Sequence, residues 1–187
     1  MAENELQRIS GITKQTLRWS KGAVQRPQYA TAGHLFKDIL QLFAGKIRNR
    51  DVNVLIEGGE EVRIYGTLGQ ISQVLANLVS NAVQAVPVGG QIWLSAREDG
   101  DMTEIKVRDN GHGMNDEALR HLFEPFYSTK GDLGNGLGLY ISYEIVERHR
   151  GSLIVGSQVG TGTEVRVRLP ADPPLSRSIE RKQKITP

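Results

Sequence analysis

Leu68-Gly69-Gln70-Ile71-Ser72-Gln73-Val74-Leu75-Ala76-Asn77-Leu78-Val79-Ser80-Asn81-Ala82-Val83-Gln84-Ala85-Val86 is the stretch that decides how this chain folds. Its apolar residues, Ile71, Val74, Leu75, Leu78, Ala82, Val83 and Val86, recur with helical spacing and form one stripe. The opposite stripe is made of amides: Gln70, Gln73, Asn77, Asn81 and Gln84. Residues four apart stack one turn above each other, so Asn77 and Asn81 point the same way. An exposed helix face normally carries Lys and Glu, yet no charged residue occurs between Arg63 and Arg97. Two explanations fit. Either the amides are a polar surface or are hydrogen-bonded inside the domain, or the face meets a ligand. An Asn carbonyl is a hard neutral oxygen suited to Mg2+ that carries phosphates and water.

Working outward, a second amphipathic helix is expected over about Ala32–Arg50, and an N-terminal one over Asn4–Ser20, with Gly22 and Pro27 in a linker between them. Val52–Glu57 and Val62–Tyr65 alternate like a strand pair around Gly58-Gly59. After Pro87 and Gly89-Gly90, strands are expected at Gln91–Arg97 and Thr103–Asp109, a short helix near Asp116–Phe123, a helix over Gly136–Arg150, and closing strands at Ser152–Ser157 and Thr163–Leu169. Helices mixed with antiparallel strands in this way predict an α+β sandwich, a sheet covered on one face by helices.

Composition narrows the function. The chain has 187 residues, enough for one domain with appendages, and no cysteine, which excludes disulfides and thiolate metal sites. No apolar run is long enough to span a membrane and no signal peptide is evident, so a cytoplasmic chain is expected. The net charge of +2 is supplied by Arg177, Arg181, Lys182 and Lys184 against Asp172 and Glu180 in the C-terminal tail, which leaves a neutral body. A neutral body argues against a nucleic-acid-binding face.

Two glycine-rich loops carry chemistry. Asp109-Asn110-Gly111-His112-Gly113-Met114 follows a strand directly. A carboxylate there, beside glycines that let the backbone come close, can accept a hydrogen bond from an exocyclic amine such as adenine N6; alone, the pattern reads sooner as an acidic turn, because such turns with glycine are common. Gly134-Asn135-Gly136-Leu137-Gly138-Leu139 opens a helix with three alternating glycines, whose successive N–H groups make an anion cradle. It matches neither the P-loop nor the Rossmann spacing. Phe123-Glu124-Pro125-Phe126 suggests an anchor for a mobile loop, and Lys130 beyond it could bind phosphate as a point charge. Gly160-Thr161-Gly162-Thr163 reads as a hairpin turn.

Taken together and in this order, the Asn-x-x-x-Asn-Ala helix, Asp-x-Gly-x-Gly, Phe-x-x-Phe, Gly-x-Gly-x-Gly and Gly-x-Gly-Thr resemble the catalytic ATP-binding domain of sensor histidine kinases, in the superfamily that includes gyrase. The resemblance covers about Ala32 to Pro170. It implies the Bergerat-type two-layer α/β sandwich, a mixed and mostly antiparallel sheet with helices on one face, ATP and Mg2+ as ligands, and a lid over the nucleotide. It implies Asn81 as the metal ligand and Asn77 as its partner in the amide pair. It implies Asp109 as the adenine-recognising carboxylate, and Gly111 and Gly113 beneath the nucleotide. Phe123 and Phe126 would anchor the lid, with Thr129 and Lys130 near the phosphates. Gly134, Gly136, Leu137, Gly138 and Leu139 would form the phosphate loop, and Thr163 would stand beside adenine. Asn77 and Lys130 are the residues expected to serve the chemistry.

The resemblance also divides the chain. Residues 1–30 look like the end of a dimerisation-hairpin helix and a linker, 31–170 the catalytic domain, and 171–187 a disordered basic tail. The first hairpin helix and its phosphoaccepting histidine have no counterpart: His34, His112, His121 and His149 all lack the flanking pattern. The implied partners are therefore a histidine-bearing dimerisation domain, a downstream response regulator, and a second copy of this chain through the N-terminal helix, which presents Ile9 and Trp19. In related ATPases that hydrolyse ATP, the position of Asn77 is a glutamate base. An amide cannot take a proton near neutral pH, which disfavours hydrolysis. Two other functions remain open: a protein serine kinase of the anti-sigma type, which expects that glutamate, and a non-catalytic nucleotide-binding module.

Overall fold

The computed structural model describes residues 26–127 and 136–172. The expected N-terminal helix, the lid with Thr129, Lys130 and Gly134, and most of the basic tail lie outside them. The chain runs β1 (Gln28–Thr31), α1 (Ala32–Asn49), β2 (Asn53–Ile56), β3 (Arg63–Gly66), α2 (Leu68–Ala85), β4 (Gln91–Asp99), β5 (Met102–Asp109), α3 (Asp116–Arg120), α4 (Gly138–Arg148), β6 (Ser152–Gln158) and β7 (Gly162–Pro170).

Five strands form the main sheet in the order β2-β4-β5-β7-β6; β2 runs parallel to β4, and the other pairs are antiparallel. Period-2 alternation separates its faces. Ile92 and Leu94 of β4, Ile105 and Val107 of β5, and Val165 and Val167 of β7 point into the core. There they meet Ile71, Val74, Leu78 and Val83 of α2, Leu35, Phe36 and Ile39 of α1, and Ile145 and Val146 of α4. The other face carries cross-strand ion pairs, Arg97–Glu104 at 2.8 Å and Arg168–Asp99 at 2.6 Å, and Arg108 stacked 4.2 Å from the centre of the Trp93 ring. This is the expected mixed, mostly antiparallel sheet with helices on one face.

One expectation fails. The segments around Gly58-Gly59 do not pair with each other. β2 joins β4 in parallel, Asn53 opposite Gln91 and Ile56 opposite Leu94, while β3 pairs antiparallel with β1. The ladder of β4 captures the chain as far as the glycines, through Glu57 N to Leu94 O at 2.8 Å and Ala96 N to Gly58 O at 3.3 Å. Gly59 sits at φ +79° with no room for a Cβ, which would lie 1.7 Å from Ala96 O. Alternation reveals a strand and its buried face, but says nothing of which neighbour it takes.

β1 itself occupies residues placed mostly in the linker by sequence. Tyr29 and Tyr65 stack at 5.0 Å across this two-stranded ribbon, Arg63 lies over the Tyr29 ring, and the Tyr29 hydroxyl donates to Asp172 Oδ1 at 2.6 Å. That hydrogen bond raises the Tyr29 phenol above its ordinary range.

Each helix start has a local cause. Thr31 caps α1 by accepting from His34 N, and Asn115 caps α3 by accepting from Ala118 N. The Thr67 side chain makes no such cap for α2; instead its own N–H donates to His149 Nε2 at 3.0 Å, while His149 Nδ1 donates to Ile145 O. That pair of bonds fixes the neutral tautomer of His149 and pins the start of α2 to the end of α4. At the far end of α2, Arg50 Nη2 donates to Val86 O at 2.9 Å. α2 has no basic residue in its own last turn, and a cation from the end of α1 takes that place.

Candidate functional site: a carboxylate knot and an amide clamp

Asp109 ends β5 opposite Thr163 of β7, and it is buried. Its Oδ1 accepts from Gly111 N at 2.8 Å and from Thr163 N at 3.3 Å. Two backbone N–H groups on one oxygen hold the carboxylate still. The glycines around it are tight because backbone passes where a side chain would go. A Cβ on Gly111 would lie 2.6 Å from Ala85 O, one on Gly113 1.9 Å from Gln158 O, and one on Gly162 1.9 Å from Asp109 O. Gly113 and Gly162 also have φ of +67° and +119°.

The hairpin turn, which needed no function by sequence, buttresses this loop: Gly160 N donates to His112 O at 2.9 Å, and His112 N donates to Ala85 O at 3.2 Å. Ser157, which sequence reading passed over, is the hub. Its hydroxyl donates to Gly162 O at 3.0 Å, accepts from Met114 N at 2.9 Å, and lies 2.9 Å from Thr163 Oγ1.

The second half of the site lies between α2 and α4. Asn77 and Asn81 project from the same side of α2, both half-buried, and α4 packs along that side. Asn77 Nδ2 donates to Gly138 O at 2.9 Å and to Ser142 Oγ at 3.1 Å. No described residue donates to Asn77 Oδ1. One explanation of the amide stripe therefore holds for the nitrogen of this residue, which is bonded inside the domain, while its oxygen receives no hydrogen bond from a described residue. α4 begins at Gly138 after Leu137, an N-cap with no acceptor in its side chain, and with no acidic residue in the first turn. Helix N–H groups left without a capping side chain suit an anion.

Gly136, at φ +60°, precedes this turn, and its carbonyl accepts from Phe126 N at 3.0 Å. The two phenylalanines expected to anchor the loop part ways. Phe123 packs on Tyr143, ring centres 5.2 Å apart, whereas Phe126 is 69% exposed at φ +69°. Leu139 packs against the core. Asp109, Gly111, Gly113 and Thr163 are thus brought together at one end, and Asn77, Gly136 and Gly138 at the other, with Asn81 on the shared helix.

Among the described residues, no group of three or more His, Asp or Glu side chains could hold a metal ion, and no helix is long and apolar enough to cross a membrane. The donor set still fits Mg2+ carried by phosphates, which usually takes only one or two protein ligands, because Asn77 offers an unengaged neutral oxygen beside a helix start suited to anions.

Residues 66–173 match the family of histidine kinase-, DNA gyrase B-, and HSP90-like ATPases. The chain is 35% identical over 172 residues to sporulation kinase B of Bacillus subtilis strain 168, covering 91% of this chain and 40% of that protein. It is 31% identical to the sensor histidine kinase ZraS of Escherichia coli K12, covering 90% of this chain and 36% of that one. The chain therefore spans well under two thirds of these relatives. Among solved structures, the catalytic domain of histidine kinase ThkA superposes with a TM-score of 0.70 at 27% identity, covering 79% of this chain and 99% of that domain.

Proposed function

The chain belongs to the histidine kinase-, DNA gyrase B- and HSP90-like ATPase family, within it to the ATP-binding catalytic modules of two-component histidine kinases, and from that premise we propose that it passes the γ-phosphoryl group of Mg-ATP to a histidine on a dimerisation domain. The observation that carries this reading is the Asn77 carboxamide, tied by its nitrogen to the first turn of α4 and open at its oxygen. An amide at this place can orient a triphosphate but cannot take a proton from water, so the imidazole of a partner is the nucleophile.

In this reading Asp109 accepts the adenine amine, with Thr163 beside it, and Gly111 and Gly113 let the base approach the backbone. Gly134, Gly136, Leu137, Gly138 and Leu139 form the phosphate loop. Thr129 and Lys130 meet the phosphates, and Phe126 lies at the edge of the lid. Asn81 would hold the magnesium, which would supply a divalent charge to offset that of the phosphates. What the protein contributes is position: the base fixed at Asp109, the phosphates aimed along the start of α4, and water kept out by the lid.

Histidine kinase ThkA has been solved in complex with the response regulator TrrA, and over 91% of this chain that structure superposes with a TM-score of 0.73 at 28% identity. A response regulator is accordingly the proposed downstream acceptor. A second copy of this chain, joined through residues 4–20, is the proposed dimer partner. Light scattering that finds a strict monomer at high concentration would remove that part.

The decisive experiment mixes this chain with a histidine-bearing dimerisation domain and labelled ATP. The expected product is an acid-labile, base-stable phosphate. A phosphoserine would instead favour a serine kinase, and no transfer despite nucleotide binding would favour a non-catalytic module.

A further inference from the structure

Ser142 lies on the core-facing stripe of α4 with Ile145 and Val146 and is completely buried. A hydroxyl there is costly unless both its donor and its acceptor capacity are met. Both are. Ser142 Oγ donates to Gly138 O at 2.8 Å and accepts from Asn77 Nδ2 at 3.1 Å, while Asn77 Nδ2 also donates to Gly138 O at 2.9 Å.

The direction of every bond in this triangle is forced. A carbonyl oxygen can only accept, so Gly138 O takes one hydrogen from the amide and the only one from the hydroxyl. The lone pairs of Ser142 Oγ are then left for the second amide hydrogen. Reversing the Asn77 carboxamide would set its oxygen against the oxygen of Gly138. The triangle thus admits one orientation of Asn77, with nitrogen toward α4 and oxygen left over. With Ser142 removed, only one bond would resist rotation of the amide.

Resting on the nucleotide reading above, we propose that Ser142 is a positioning residue. It locks the Asn77 carboxamide so that the amide oxygen is presented to the hydrated magnesium of the bound nucleotide, and it ties that orientation to the first turn of the phosphate-binding helix. Ser142 touches neither nucleotide nor metal and acts only through Asn77.

The test is calorimetric titration of the full chain with ATP, once with excess Mg2+ and once in EDTA, for the unsubstituted protein, Ser142→Ala, Asn77→Ala and the double variant. Ser142→Ala should weaken Mg-ATP about five-fold, the scale of one hydrogen bond, and change metal-free ATP less than about two-fold. In the Asn77→Ala background, Ser142→Ala should cost nothing further, because the hydroxyl has lost the group it orients. Alanine is a good helix former, so the variant is expected to fold. Ser142→Cys, close in volume but a weak donor, should repeat the selective loss. Equal weakening of ATP with and without magnesium would mark a merely structural serine and overturn the proposal. So would unchanged Mg-ATP binding, or the same loss in both backgrounds. If the unsubstituted chain bound no ATP under either condition, the nucleotide reading would fail and take this proposal with it, a result distinct from all the others.

Discussion

The two ends of the site are built by different means. At the carboxylate end, backbone meets backbone: Gly113 and Gly162 leave 1.9 Å where a Cβ would stand, and Asp109 is gripped by peptide N–H groups. At the amide end, a Cβ on Gly138 would make ordinary contact, 3.7 Å from Asn77 Cγ, and the contact between helices is held by side-chain hydrogen bonds. The first end is preformed by backbone contact throughout. The amide end shares that constraint at Gly136, where a Cβ would lie 2.3 Å from Phe126 C at φ +60°, but its contact between Asn77, Ser142 and Gly138 can be loosened one bond at a time. The phosphoryl transfer proposed above would call for both, a base held firmly and a phosphoryl group free to leave.

The largest effect is expected at the preformed end. Gly113→Ala forces a Cβ onto a carbonyl at positive φ and should destabilise the domain by about 3 kcal/mol or more, read as a fall in thermal midpoint with loss of nucleotide binding. A midpoint within a degree of the parent would contradict the rigid description. Asp109→Asn keeps the shape and removes the charge; ATP should weaken by about 1.5–3 kcal/mol, roughly 10–150-fold by calorimetry.

At the amide end, Asn77→Asp replaces two donors with acceptors that face Gly138 O, and should cost about 1–3 kcal/mol in chemical unfolding. The same reasoning makes Asn77→Glu an unclean probe of water activation, since it breaks the clamp as well as adding a base. His149→Ala leaves Thr67 N without its acceptor and should cost about 1 kcal/mol in the same assay. Gly138→Ala should be the mildest, within about 1 kcal/mol of the parent in folding, because a methyl there meets only ordinary contacts and alanine favours the helix. A collapse of Gly138→Ala as severe as that of Gly113→Ala would erase the contrast between the ends.

Much of this was legible in the sequence, for definite reasons. The helices over residues 32–49 and 68–85 announce themselves by apolar spacing, and the strands from Gln91 onward by alternation. The pairing of β2 and β3 was not legible, because a four-residue strand carries no mark of its neighbour. β1 was hidden by its length and by Pro27 just before it. The glycines and Asp109 stood out as a motif. Ser142, Ser157 and His149 did not, since single polar residues look alike until their partners are known. One signal was available: Ser142, Ile145, Val146 and His149 share the spacing of a buried stripe, and two of the four are polar. A polar residue on such a stripe asks what it bonds to, and here the partners are Asn77 and Thr67.

The pairing of β1 with β3 joins the first described strand to the helix of the amide row. β1 stands apart from the five-stranded sheet, and β3 continues through the single residue Thr67 into α2. The four-rung ribbon is thereby joined to the head of the helix that bears Asn77 and Asn81, and Thr103 Oγ1, which donates to Arg63 O at 3.1 Å, fastens it to β5, the strand that ends at Asp109. The two ends of the site, unlike in construction, are thus fastened to the same two-stranded ribbon.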